Sequence, residues 1–180
     1  MWLEGNRKYF KKMQKCFEKP LSTKRLTAIN AFITTDNINK LIGEDGKIKG
    51  EIDLLSIDID GNDYWIWEKI SCINPRVVVI EYNSKFPPPC EYVMEYNSSH
   101  IWDGSDNSGA SLKSLELLGK RLGYILVGTN RNGVNAFFVK KELTKELFAE
   151  PATAENLYHA WDDVNVYING GIAARKYIGN

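Results

Sequence analysis

At 180 residues, 43% of them hydrophobic and 26% charged, the chain is long enough to bury one full core and too short for two ordinary domains. Its 23 Lys and Arg balance 23 Asp and Glu, so no overall field draws it to nucleic acid or to a membrane, and a small-molecule or protein partner is expected. No apolar run reaches the roughly 20 residues of a membrane span, and MWLEGNRKYF lacks the charged-then-apolar order of a signal peptide. Cys16, Cys72 and Cys90 are odd in number and widely spaced, which reads as reduced thiols in a cytoplasmic protein.

From Asn6 to Phe17 the residues Tyr9, Phe10, Met13, Cys16 and Phe17 recur at helical spacing, with Arg7, Lys8, Lys11, Lys12 and Lys15 on the other face, and Pro20 is expected to end that helix. Arg25 to Thr34 reads as a strand. Thr35 and Asp36 then offer caps for a short helix carrying Ile38, Leu41 and Ile42, followed by a turn-rich stretch from Gly43 to Gly50. Ile52 to Ile59 (IDLLSIDI) is the strongest strand signal, and its apolar run predicts a buried position. Gly61 and Asn62 break it, Asp63 can cap a helix bearing Tyr64, Trp65, Trp67 and Ile70, and Arg76 to Tyr82 (RVVVIEY) is a second buried strand. Two apolar strands around one helix make a βαβ unit with parallel strands, which sets the class as α/β.

A long polar and aromatic stretch runs from Asn83 to Ala110, more than a connecting loop needs. Leucines 112, 115, 118 and 122 then mark one helix face, which Gly123 can terminate. Tyr124 to Gly128 and Val134 to Lys140 read as an antiparallel hairpin turning at Asn130, Asn132 and Gly133. Helix formers continue from Glu142 to Trp161.

In an open α/β sheet, ligands bind beyond the carboxyl ends of the strands. That rule selects Asp58, Asp60, Gly61, Asn62 and Asp63 after the first strong strand, and Glu81, Tyr82 and Asn83 after the second. Acids there can accept from a ribose hydroxyl, orient a cation, act as general base or hold a hard metal ion; they can also be plain strand-end and capping residues.

The stretch IDLLSIDIDGNDYWIWEKI followed by NPRVVVIEYN resembles the FkbM-type S-adenosylmethionine-dependent methyltransferases. The resemblance implies a Rossmann-like methyltransferase sheet, mostly parallel with an antiparallel hairpin at its end, over residues 1–143, with a C-terminal helical extension over 144–180. It implies O-methylation of a small sugar-like or natural-product acceptor, with S-adenosylmethionine as cofactor. On the same mapping WLEG ends the family's second strand, so Glu4 takes the ribose hydroxyls, Asn30, Ala31 and Phe32 lie near the adenine, and Asp58 and Asp60 face the methionine end. Asp58, Asp60 and Glu81 become the catalytic set, and Asn62, Asn83, Tyr92, His100 and Trp102 the acceptor contacts.

One departure stands out. The family places a first strand and a glycine-rich turn ahead of the acidic strand, whereas here Met1 already lies in the second strand. The domain reads as N-terminally truncated, with the gap at the centre of the sheet, between the strands ending at Glu4 and Asp58. A partner strand or a second copy in a homo-oligomer would then complete the sheet, or the domain is a non-catalytic remnant serving as a binding or assembly module. His159 and the aromatic set Tyr64, Trp65 and Trp67 read as packing residues. No metal is expected, Asp58, Asp60 and Asp63 as a Mg²⁺ set being a minority reading.

Overall fold

The computed structural model describes residues 1–145, 147–148 and 151–160. Strand β1 (Trp2–Glu4) leads into α1 (Arg7–Cys16), whose start is fixed by the Asn6 side chain accepting from the amides of Lys8 and Tyr9. Pro20 does not stop the chain as expected. It sits in the first turn of a second short helix, α2 (Glu18–Ser22), where a missing N–H costs nothing. Strand β2 (Ala28–Asn30) is shorter than its β-favouring sequence, because it pairs only with the three residues of β1, in parallel, from Trp2 opposite Ala28 to Glu4 opposite Asn30.

The next helix begins at Asn37 rather than Thr35 or Asp36: α3 (Ile38–Lys40) runs into a π-helical turn, Leu41–Asp45, that buries Ile38, Leu41 and Ile42. Then come β3 (Gly50–Ile57), α4 (Asp63–Lys69), β4 (Ile73–Glu81), α5 (Leu112–Arg121), β5 (Tyr124–Thr129), β6 (Asn135–Lys140), α6 (Lys141–Thr144) and α7 (Ala154–Leu157). The last four strands form one open sheet ordered β3-β4-β6-β5, with β3 and β4 parallel and β4/β6 and β6/β5 antiparallel. The molecule is therefore mixed α/β, with its βαβ unit and terminal hairpin where the sequence places them.

One expectation is overturned. β3 is the outermost strand of its sheet, so the apolar run that reads as buried leaves Leu54 57% exposed and only Ile57 fully covered. Among the described residues strand β1 pairs only with β2. The two sheets share one core, for Leu3 and Ile33 pack against the cluster centred on Val78, Ile80, Leu115 and Phe138.

Two helices cover that core. Trp67 of α4 lies 4.8 Å from the Phe138 ring and 5.7 Å from that of Tyr124. Leu112, Leu115 and Leu118 of α5 are fully buried, while Leu122 has passed the helix end and is exposed. Gly119 permits the close approach, since a Cβ there would lie 2.8 Å from the Phe138 ring and 3.2 Å from Trp67. Gly119→Ala is expected to destabilise by about 1 kcal/mol: overpacking costs roughly 1–3 and the better helix propensity of alanine returns roughly 1. Urea unfolding followed by tryptophan fluorescence measures it, and a variant as stable as the parent would refute the close-packing account.

Of the helical extension expected over 144–180, the described residues show the single turn α7, and residues 161–180 lie outside them. α7 is docked on α5 by the carboxylate of Glu116, which is 1% exposed. That carboxylate accepts from the Ala154 amide at 3.0 Å, from Lys113 at 3.1 Å and from Lys120 at 2.5 Å. Further along, the hydroxyls of Tyr82 and Tyr158 donate to the His159 and Ser84 carbonyls, both at 2.6 Å.

Candidate functional site

Two groups of predicted site residues meet at strand carboxyl ends. The first closes the β1–β2 ladder. Asn30 donates from Nδ2 to the Glu4 carbonyl at 2.6 Å, the Ala31 amide donates to the same carbonyl at 3.1 Å, and Phe32 lies beside Gly5 with 46% of its surface open. Glu4 uses one carboxylate oxygen to accept from the Asn6 amide at 2.8 Å, which also ties the strand to the start of α1.

The second group follows β3 and β4. Carboxylate oxygens of Asp58, Asp60 and Glu81 lie within 4.8 Å of one another. Asp63, read as a helix cap and possible third ligand, instead turns inward: it is 1% exposed, and its two oxygens accept from the Ile59 and Gly61 amides, each at 3.0 Å. Asp63 thus shapes the turn that presents the other acids. Asp60 itself takes a left-handed backbone (φ +60°), and Gly61 follows at φ +152°.

Crowding of negative charge sets the electrostatics. Burial, with the charges of Asp63, Asp58 and Asp60 behind it, pushes the Glu81 carboxyl up to about 8. Burial raises Asp63 to about 6, against the pull of its backbone hydrogen bonds, and partial burial with the charge of Asp60 raises Asp58. Near neutral pH Glu81 therefore holds its proton, and the three-carboxylate set is suited to a cationic group or a hard divalent cation placed between the acids.

The long segment after β4 folds over this end. Its two limbs pair through Val93 and Ala110, and Asn83 pins its base by donating to the carbonyls of Asp106 and Ser108 at 2.8 and 2.9 Å. Asn62, 3% exposed, exchanges hydrogen bonds with the backbone of Asn97, its Nδ2 donating at 2.8 Å and its Oδ1 accepting at 3.3 Å. His100 Nε2 and the Ser108 hydroxyl both sit on the Asp60 carbonyl, at 3.0 and 3.1 Å. Together these contacts frame an open, polar cleft of about 770 Å³ lined by Met94, Tyr96, Asn97, His100 and Asp103 among others, within the size range of small-molecule sites.

The cleft is lined by residues of this segment, 94–107, with neither group among them, and two hydrogen bonds tie its wall to their neighbourhood. Tyr96 in its wall accepts from the Thr35 amide at 3.2 Å, three residues past Phe32, and His100 in its wall bonds Asp60. Of the predicted acceptor contacts, His100 lines the cleft. Asn62 and Asn83 are committed to latching the segment. Tyr92 donates to Asn107 and stacks on Phe86 at 3.8 Å, and Trp102 gives its indole N–H to the Ser105 carbonyl and is half exposed. Tyr96, like Tyr92 and Trp102 an aromatic of the long loop and so a candidate substrate contact from sequence, lines the cleft, whereas Met94 and Asn97 were not singled out, since nothing in the run EYVMEYNSSH distinguishes residues that line a cleft from residues that pass through it. Trp65, read as packing, is half-buried and gives its indole N–H to the Met94 carbonyl at 2.8 Å.

Gly61 is a second residue whose role only the geometry shows, because a Cβ there would fall 2.5 Å from the His100 ring. Gly61→Ala is expected to swing His100 off the Asp60 carbonyl and to cost about 1 kcal/mol, the imidazole being able to move while the backbone strain remains. The His100 ring resonances in NMR spectra at one fixed pH check it, and ring chemical shifts identical to the parent's would refute the contact.

No family model, no curated protein and no solved structure matches the chain. Among the described residues, no helix is long and apolar enough to cross a membrane, and the three cysteines are unbridged.

Proposed function

We propose that the chain transfers a methyl group from S-adenosylmethionine to a hydroxyl oxygen of a small, sugar-like or natural-product acceptor held in the cleft. The observation that carries this reading is the clustering of the Asp58, Asp60 and Glu81 carboxylates at the ends of parallel strands, with His100 of the cleft wall bonded to the Asp60 carbonyl. The order within each sheet supports it: a β1-β2 pair and a β3-β4-β6-β5 sheet are the two parts that resemblance to the FkbM-type enzymes implies when the central strand is left out.

The residues present fit the adenosine half of the cofactor. Glu4 keeps a carboxylate oxygen outside its bond to Asn6 for ribose hydroxyls, and Phe32 offers an open aromatic face for a base. They do not supply the glycine-rich turn that the family uses for the amino-acid end, so affinity is expected to be weak. The bound cofactor supplies an activated methyl group, and the chain's task is mostly positioning. Asp58 and Asp60 set negative potential where a sulfonium would lie. His100 and Tyr96 bound the acceptor, and Glu81, protonated near neutrality, becomes able to accept the hydroxyl proton as pH rises through about 8.

A second reading has its own observation. Among the described residues β1 pairs only with β2 and β3 only with β4, so each has an edge on which no strand lies. A domain that lost cofactor chemistry and acts as a binding or assembly module would look the same. Calorimetric titration with S-adenosylhomocysteine separates the two. The enzyme reading expects saturable binding that Glu4→Ala weakens at least about tenfold, as loss of a charge-assisted hydrogen bond would. Absence of heat at millimolar ligand leaves the module.

A further inference from the structure

The cleft has a chemistry of its own, apart from the acids at the strand ends. Its wall includes Glu95 and Asp103 and no Lys or Arg, so a phosphate, a sulfate or a carboxylate would meet no counter-ion there. The setting has the same sign: residues 58–110 hold nine Asp and Glu against three Lys and Arg, and two of those three, Lys69 and Arg76, lie toward the amino end of β4, away from the site. Unfilled hydrogen-bonding capacity says more than charge. Among the described residues the Glu95 carboxylate has no hydrogen bond and no ion pair, and Asp103 is bonded only within its own turn, to Ser105, whose amide reaches Oδ1 at 2.9 Å. His100 places Nε2 on the Asp60 carbonyl, which can only accept, so the hydrogen sits on Nε2 and the neutral ring keeps a lone pair on Nδ1. The Cδ2–Nε2 edge of that ring is the one seated over Gly61, which leaves the edge bearing Nδ1 to line the cleft. Facing these three acceptors are the Nδ2 donors of Asn97 and Asn107, whose Oδ1 atoms are taken by Ser99 and by the Tyr92 hydroxyl.

We propose that the cleft binds an amine-bearing polyol, an amino sugar or its oligomer, with ammonium groups on Glu95 and Asp103 and hydroxyls on His100 and the two asparagine amides. This names the class of acceptor for the methyl transfer proposed above and rests on the same reading of the cleft. Ammonium groups match carboxylates that nothing else in the chain neutralises. Hydroxyls, which both donate and accept, match the His100 lone pair and the amide donors together. A polyamine would satisfy the first set and leave the amides without acceptors, and an uncharged glycan would satisfy the second and leave the carboxylates unpaired, so the two sets together select a ligand that carries both groups.

Titration of the full chain, followed by its backbone amide resonances, tests this with the glucosamine disaccharide, cellobiose, glucuronic acid and spermidine as probes. The first two share linkage and shape and differ in carrying an ammonium or a hydroxyl on the second carbon of each ring. At about pH 6, where the amines are protonated and ordinary carboxylates ionised, the glucosamine disaccharide is expected to bind about tenfold tighter than cellobiose, as two solvated ion pairs would give. Its shifts should saturate and fall on residues 94–107, and the preference should shrink with salt. Spermidine should bind more weakly than the disaccharide, and glucuronic acid should leave these resonances unmoved. A double Glu95→Gln, Asp103→Asn variant should bind the glucosamine disaccharide no better than cellobiose; both positions are exposed, the new amide at 103 can still accept from Ser105, and circular dichroism confirms that the variant folds. The proposal is overturned if the glucosamine disaccharide gives no saturable shift at residues 94–107, if cellobiose or spermidine binds there as tightly, if glucuronic acid binds there, or if the double variant keeps the preference. No cofactor is present in these titrations, so they stand apart from the one with S-adenosylhomocysteine. Binding of the amino sugar without heat from the homocysteine would refute the methyl transfer and keep the ligand class, and the converse would refute the class alone.

Discussion

Glu116→Ala is expected to lower stability by about 3 kcal/mol at neutral pH. The carboxylate is buried and accepts three hydrogen bonds, two of them from ammonium groups. Breaking a buried charged network by removing one partner costs roughly 3–5 kcal/mol. The lower end applies here, because Lys113 keeps Glu155 at 2.8 Å and Lys120 is 56% exposed and can rehydrate. What cannot be repaired is the Ala154 amide, buried with no acceptor, and the void left under α7. Burial, the largest single influence on this carboxyl, works to raise it. The bonds from Lys120, the Ala154 amide and Lys113 together outweigh burial and hold it below the usual range. Its contribution is therefore complete above the unfolded value near 4.5 and is lost as pH falls through the depressed folded value. Urea denaturation at neutral pH measures the loss, and a change under about 0.5 kcal/mol, the size of an ordinary surface substitution, would show that α7 is not held by this network.

Glu81 titrates with the opposite sign. Its carboxyl is raised from 4.5 to about 8, so between those values the folded chain keeps a proton that the unfolded chain has released, and stability falls as pH rises through that window. The full difference corresponds to about 5 kcal/mol. Solvent access to this partly buried group reduces it to about 2. Glu81→Gln is accordingly expected to stabilise by about 2 kcal/mol above pH 8 and by almost nothing near pH 4, removing most of the alkaline slope. Melting temperatures across that range, taken in the presence of a chelator so that no cation neutralises the acids, provide the measurement. A parent whose melting temperature climbs relative to the variant between pH 5 and 8 would contradict the burial of this carboxyl.

The two acids show what the sequence could and could not reveal. Glu81 was legible because it ends an apolar run, and the rule that sites gather at strand carboxyl ends needs only that ending. Glu116 was not. On the helix it sits among leucines as any solvated acid might, and its burial comes from α7, thirty-eight residues further on. The same distinction runs through the fold. Periodicity located α1, α4, α5, the βαβ pair and the hairpin, since these depend on local pattern and a single packing face. It misplaced β3, because an apolar strand reads alike whether or not a neighbour covers it, and it overran β2, whose length is set by a three-residue partner. Around the site, the acids at 58, 60 and 81 were readable from their spacing. The latch of Asn62 on Asn97 and the seat of His100 over Gly61 join segments more than thirty residues apart and have no sequence signal of their own.

The open flank of β3 also bears on how the protein behaves in concentrated solution. An eight-residue strand with one unsatisfied row of amides and carbonyls is a template on which other extended chains can add, and Leu54 supplies the apolar contact that such growth rewards. Glu51 and Asp53, both exposed, act as gatekeepers through mutual repulsion between incoming copies. Solubility should therefore depend on two carboxylates away from the candidate site, and replacing both with amides would favour fibrous association while the folded core is kept.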